Sequence, residues 1–106
     1  MPEAFVRVAK TGEIPLDRCK EVEAQGRFLL ICHCEDGFFA VDNTCTHDDG
    51  PLGDGWLEGC AIECPRHGAR FDVRTGKVVA LPAAVPIRSY PVRVEGEEIA
   101  VQLPPA

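Results

Sequence analysis

Apolar and polar positions alternate with a period of two over most of the chain, the spacing of half-buried strands. Phe5-Val6-Arg7-Val8 opens the pattern with a short strand. Residues 18–24 carry a weak helical spacing at Leu16 and Cys19. They run, however, into Gln25-Gly26 and then Arg27-Phe28-Leu29-Leu30-Ile31-Cys32, so 18–24 and 27–34 read as a hairpin. Phe28, Leu30 and Cys32 would share one face of its second strand. Asp36-Gly37 predicts the clearest two-residue turn, between strands at 28–34 and 38–41. Thr75-Gly76 plays the same part between 71–73 and 77–80. A last hairpin has Val92 and Val94 alternating before Glu95-Gly96, and Ile99, Val101 and Leu103 after it. Thr11 to Leu16 is a turn around Pro15, and Pro91, lacking a backbone donor, belongs at an edge or a strand start. Pro104-Pro105-Ala106 stops the last strand.

Residues 43–70 depart from this alternation. Gly, Pro, Asp and Asn interrupt them repeatedly, so meander strands flank a loop-rich insertion. At 106 residues the chain is one domain, and its 45% apolar content excludes wholesale disorder. Ten Gly and nine Pro with few helix-forming runs make the expected class all-β. A formal charge of −6 repels nucleic acid and anionic membrane, leaving both as poor partners. The plain reading is that it only keeps the protein soluble, and the alternative is that it steers the protein towards a basic partner.

Six cysteines need a reason. The start, MPEAFVRVAK, has no apolar core of a secretory leader, and no apolar stretch is long enough to cross a bilayer. A cytoplasmic location is expected, where thiols stay reduced and cysteines serve metal or redox chemistry more often than disulfides. Cys45-Thr46-His47 and Cys64-Pro65-Arg66-His67 are separated by 16 residues, 48 to 63. Each loop offers one thiolate and one imidazole, a set that suits zinc or an iron–sulfur cluster. Common structural zinc sites combine Cys-X2–4-Cys with a His-X3–5-His pair, a combination this chain lacks. Gly-rich flanks would let backbone N–H groups approach cluster sulfurs with no Cβ in the way.

With Cys45, His47, Cys64, His67 and Gly68 in these positions, the chain resembles the Rieske family along its whole length. The signature is Cys-X-His, a spacer of this order, then Cys-X2-His-Gly. The resemblance implies three antiparallel β-sheets in a single domain, 1–106. A small cluster-binding subdomain, 43–71, is inserted between 1–42 and 72–106 of the base. It implies one [2Fe–2S] cluster, with Cys45 and Cys64 on one iron and His47 and His67 on the other. Respiratory-chain relatives join the two loops by a disulfide; the matching positions here are Gly50 and Arg66. They also set a Ser and a Tyr hydroxyl against the cluster sulfurs, where this chain has Ala69 and Phe71. Fewer hydrogen bonds stabilise the reduced cluster less, so the expected potential is roughly −150 mV rather than +300 mV.

Cys19, Cys32, Cys34 and Cys60 read as small buried apolar residues. On a strand, Cys32 and Cys34 face one way and His33 the other, so Cys32-His33-Cys34 does not form a second metal site. Trp56 is expected to pack beneath the loops, and Asp48, Asp49, Asp54 and Glu58 to form an acidic skirt. Arg66 would soften the cluster's charge or touch a partner.

No catalytic residue is expected. A mononuclear iron site needs two histidines and a carboxylate, and only His33 remains outside the ligand set. A Gly-X-Gly-X-X-Gly fingerprint for a flavin or nicotinamide is missing, as is a nucleophile arrangement. The pattern resembles the ferredoxins of bacterial ring-hydroxylating dioxygenase systems. It implies a monomeric one-electron carrier between an NAD(P)H-dependent flavoprotein reductase and a terminal non-haem iron oxygenase. The alternatives are a small subunit of an assimilatory nitrite reductase and a structural zinc-binding interaction module.

Overall fold

Antiparallel strands build three small sheets in the computed structural model, which describes residues 5–46, 50–66, 68–81 and 85–104. The first sheet contains β1 (Phe5–Lys10), β10 (Val92–Glu95) and β11 (Glu98–Gln102), in the order β1-β11-β10. The second contains β2 (Arg18–Ala24), β3 (Arg27–Cys34), β4 (Gly37–Asp42) and β9 (Ser89–Tyr90), in the order β2-β3-β4-β9. The third contains β5 (Trp56–Glu58), β6 (Ala61–Glu63), β7 (Arg70–Asp72) and β8 (Val78–Ala80), in sequence order. The expected all-β class with three antiparallel sheets is what forms. The third sheet runs past residue 71, because Val78 pairs with Phe71 and Ala80 with Arg70.

Turn chemistry explains most of the hairpins. Gln25 (φ 52°) and Gly26 (φ 77°) both adopt left-handed conformations between the paired Ala24 and Arg27, matching the twist of the flanking strands. The β3–β4 turn sits one position earlier than expected. Cys34 pairs with Gly37, so Glu35 and Asp36 are the two loop residues, and Gly37 takes a φ of 126° as the next strand starts.

β3 lies between two neighbours and is covered on both faces. Leu29 and Ile31 point down to a lower core with Ile14, Ile99, Val101 and Leu103. Leu30, Cys32 and Cys34 point up to an upper core with Leu57, Ile62, Phe71 and Val73. Hiding each such aliphatic side chain contributes about 1.5–3 kcal/mol. Phe28 has the parity of Leu30 but is 63% exposed. The upper core ends short of it, where its register partner is Glu23. Trp56 likewise does not pack beneath the loops. It is 52% exposed, because β5 turns Leu57 inward and so sends its neighbour to the other face.

Candidate metal centre

Two loops rise beside the upper core, and each closes on a cysteine. In the first, the Cys45 N–H donates to the Gly50 carbonyl at 2.8 Å. In the second, the Cys64 N–H donates to the Ala69 carbonyl at 2.7 Å, and Gly68, at φ 78°, donates back to the Cys64 carbonyl at 3.0 Å. Gly is the low-cost residue for that left-handed position. Cys45 and Cys64 are both fully buried in one apolar cluster with Leu52, Ile62, Ala69 and Phe71. Neither is disulfide-bonded. His47, with Asp48 and Asp49, and His67 lie outside the described residues.

The donor set fits the implied cluster. Two buried thiols, one from each loop, are what one iron of a Rieske centre takes, and the apolar shell keeps water from it. Ala69 and Phe71 are fully buried and carry no hydroxyl, so at these positions only the main chain can donate to a sulfur.

Arg66 spans the two loops. Its Nη2 donates to the Pro51 carbonyl at 3.1 Å, and its Nη1 lies 3.9 Å from Asp54 Oδ2. A Cβ on Gly50 would meet the Arg66 guanidinium carbon at 2.5 Å, so glycine makes room for the arginine to lie across the first loop. The two positions that could have carried a loop disulfide therefore hold a charged clasp. Nothing in the spacing of Arg66 from its neighbours announced this role.

Further links seat the loops on the second sheet. Asn43, only 9% exposed, donates from Nδ2 to Glu21 Oε2 at 2.6 Å and accepts from the Gly53 N–H at 2.8 Å. A Cβ on Gly53 would strike the Glu21 carboxylate group. Thr46 Oγ1 donates to the Val85 carbonyl. Arg74, on the β7–β8 turn, reaches Asp36 Oδ2 at 2.7 Å and Asp72 Oδ2 at 3.0 Å. Hydrogen bonds from Arg74 hold the Asp72 carboxyl below the usual carboxylate range, against an opposing effect of burial.

Cys34 and Cys60 form a disulfide, with Cα atoms 5.3 Å apart, contrary to the expectation of two separate thiols. Cys34 ends β3 on its upward face, and Cys60 occupies the β5–β6 turn placed above it. Their meeting depends on how the third sheet docks, which local spacing does not encode. Cys19 and Cys32 keep their thiols, with Sγ atoms 3.0 Å apart. His33 does face away from Cys32 and Cys34. Its ring stacks on Phe38 at 4.0 Å, and its Nδ1 lies 2.8 Å from the Ile14 carbonyl. Of the acidic skirt, Asp54 faces Arg66, and Glu58 lies 3.8 Å from Arg70.

Residues 4–91 match the family model of the Rieske [2Fe-2S] domain. Over 100 residues the chain is 38% identical to the ferredoxin component of biphenyl 2,3-dioxygenase from Rhodococcus jostii (strain RHA1), covering 94% of each. The ferredoxin of carbazole 1,9a-dioxygenase from Nocardioides aromaticivorans IC177 superposes with a TM-score of 0.89 at 36% identity, covering 93% of this chain and 97% of that one. A chain from the complex of reduced oxygenase and oxidized ferredoxin in carbazole 1,9a-dioxygenase gives a TM-score of 0.88 at 32% identity, with 94% of each covered.

Proposed function

The chain belongs to the Rieske [2Fe–2S] family, and from that premise we propose that it is the electron-carrying ferredoxin of a ring-hydroxylating dioxygenase system. It takes single electrons from an NAD(P)H-dependent flavoprotein reductase and delivers them to a terminal non-haem iron oxygenase. The observation that carries this reading is the pair of fully buried thiols, Cys45 and Cys64, each pinned at the start of its own closed loop. The ferredoxin names of relatives matched over nearly their whole length support it.

Cys45 and Cys64 would hold one iron of a single cluster, and His47 and His67 the other. When bound, the cluster supplies one-electron redox chemistry at a potential set by its surroundings. Around it, the buried wall of Leu52, Ile62 and Phe71 excludes water from the sulfur side. The Arg66 clasp and the Asn43 bridge hold both loops in one arrangement, so little reorganisation accompanies a change of charge. Residues 43–71, with β8 completing their sheet, act as the cluster-binding subdomain on a base made by the rest of the chain. The protein works as a monomer in the cytoplasm, away from membrane and nucleic acid. No helix among the described residues is long and apolar enough to cross a membrane. Its contacts with reductase and oxygenase are weak and transient, since a carrier must release each.

Purification and redox titration test this. The expected protein is red-brown, contains iron and sulfide, and titrates at about −150 mV, because Ala69 and Phe71 add no hydroxyl to the sulfurs. Reconstitution with a flavoprotein reductase and a terminal oxygenase should pass electrons through it. His47→Ala or Cys45→Ser should remove the Rieske signal. A colourless zinc protein, or iron and redox behaviour untouched by His47→Ala, overturns the reading; a potential above roughly 0 mV overturns its low-potential part.

A further inference from the structure

Cys19 and Cys32 stand opposite each other across β2 and β3, in a ladder whose register is continuous from Arg18↔His33 to Ala24↔Arg27. Their sulfurs lie 3.0 Å apart, against about 2.05 Å for a formed disulfide. Residues directly opposed in an antiparallel ladder have Cα atoms about 4.5–5.5 Å apart, inside the range that a disulfide spans. The two thiols differ in access. Cys32 is fully buried, whereas Cys19 is half-buried and lines a small surface groove with Asp17, Gly53, Trp56 and Leu57. A small reagent can therefore reach Cys19 first. Two residues along β3, Cys34 is already bonded to Cys60, which leaves Cys19 and Cys32 to each other.

We propose that Cys19 and Cys32 are a reversible two-electron redox site, oxidised to a disulfide by hydroperoxides. The Cys19 sulfur attacks one peroxide oxygen and the O–O bond breaks. With hydrogen peroxide this leaves a sulfenic acid on Cys19 and releases one water. The Cys32 sulfur then displaces the hydroxyl, which leaves as a second water with the Cys32 proton, and the S–S bond forms. Two thiols and one hydrogen peroxide become one disulfide and two waters. The sulfurs together lose two electrons and the peroxide gains them. A dithiol reductant reverses the step.

The order of events follows from the surroundings. The hydrogen bond with Cys19, and then burial, push the Cys32 thiol well up, so Cys32 waits protonated while the half-exposed sulfur reacts. The location gives the bond a consequence. β2 also carries Glu21, which holds Asn43 at the root of the first loop. A Cys19–Cys32 bond fastens that strand directly beneath the loops. The inference uses neither Cys45 nor Cys64 and stands apart from the metal reading.

The holoprotein, treated with hydrogen peroxide and then denatured and alkylated without reductant, tests it by peptide mapping, with the visible spectrum followed in parallel. The expected result is a Cys19–Cys32 cross-linked peptide, the loss of both residues from the alkylated pool, and full recovery after dithiothreitol. Cys19→Ser should leave Cys32 alkylatable. Cys32→Ala should stop at a sulfenic acid on Cys19 that dimedone traps. The proposal fails if Cys19 and Cys32 both stay alkylatable after peroxide, or if Cys19 runs on to a sulfinic acid in the parent protein. It fails equally if the cross-link joins either residue to Cys34, Cys45, Cys60 or Cys64.

Discussion

The two cores of this protein share one strand and are built differently. Below β3, the core is aliphatic and aromatic, with no cysteine among its buried residues, and apart from the two-residue β9 the strands around it pair over four to seven residues. Above β3, Cys32, Cys34, Cys45 and Cys64 are all buried, Cys19 and Cys60 pack alongside, and the third-sheet strands are three residues long. The alternation of a single strand sorts the chemistry: Leu29 and Ile31 go down, Cys32 and Cys34 go up. Long ladders and aliphatic packing keep the lower half together. The upper half buries at least as much, but its three-residue strands supply only short ladders, so a disulfide, an arginine clasp and a buried asparagine add the links that long pairing gives below. A region that must present ligand-bearing loops trades regular pairing for specific links.

Breaking each half by its own means should separate them. Ile31→Ala opens a cavity in the lower core and should cost about 4 kcal/mol in chemical denaturation, leaving the visible spectrum of the folded protein unchanged. A spectral change at constant fold would show that the two cores are not independent. Cys34→Ala together with Cys60→Ala removes a cross-link spanning 26 residues, worth about 3.5 kcal/mol from loop closure. Here the loss should come with faster release of iron to a chelator, because the third sheet loses its tie to β3. Unchanged stability and unchanged iron release in that variant would place the upper half's strength elsewhere, in the Arg66 and Asn43 links.

How much could be read from the chain follows the same division. The Glu95-Gly96 hairpin forms one residue later, with Gly96-Glu97 as its loop, and Thr75-Gly76 lies in a five-residue connection, 73–77, rather than a two-residue turn. The hairpin at Gln25-Gly26 was legible because its turn residues and alternation are local. So was the opposition of His33 to Cys32 and Cys34. The position of Cys45 and Cys64 at the heads of two loops also followed from Gly and Pro around them. What stayed hidden depends on docking between distant segments. Cys34 meets Cys60 only once the third sheet sits over β3. Arg66 lies over Gly50 only because two loops face each other. Trp56 failed differently: its size suggested burial, but its neighbour Leu57 takes the inward position on a three-residue strand.

The weakest link between the halves is the surface one, and it should show itself only through pH. Arg74 ties the β7–β8 turn to Asp36 on the β3–β4 turn while its other nitrogens grip Asp72. The Asp72 carboxyl titrates below its unfolded value, near 3.9, so its charge stabilises the fold fully above that pH. The contribution disappears as pH falls through the lowered folded value. Asp72→Asn keeps an oxygen to accept the Arg74 backbone N–H but removes the charge and, with it, the second acceptor that Arg74 Nη2 uses. The variant should therefore lose under about 1 kcal/mol at neutral pH, once solvent screening of this partly exposed pair is allowed for. In urea unfolding the difference from the parent should begin to shrink below the unfolded value and close as pH falls through the lowered folded one. A difference that persists unchanged in acid would mean that Asp72 shapes its turn by geometry, with the ion pair to Arg74 contributing nothing.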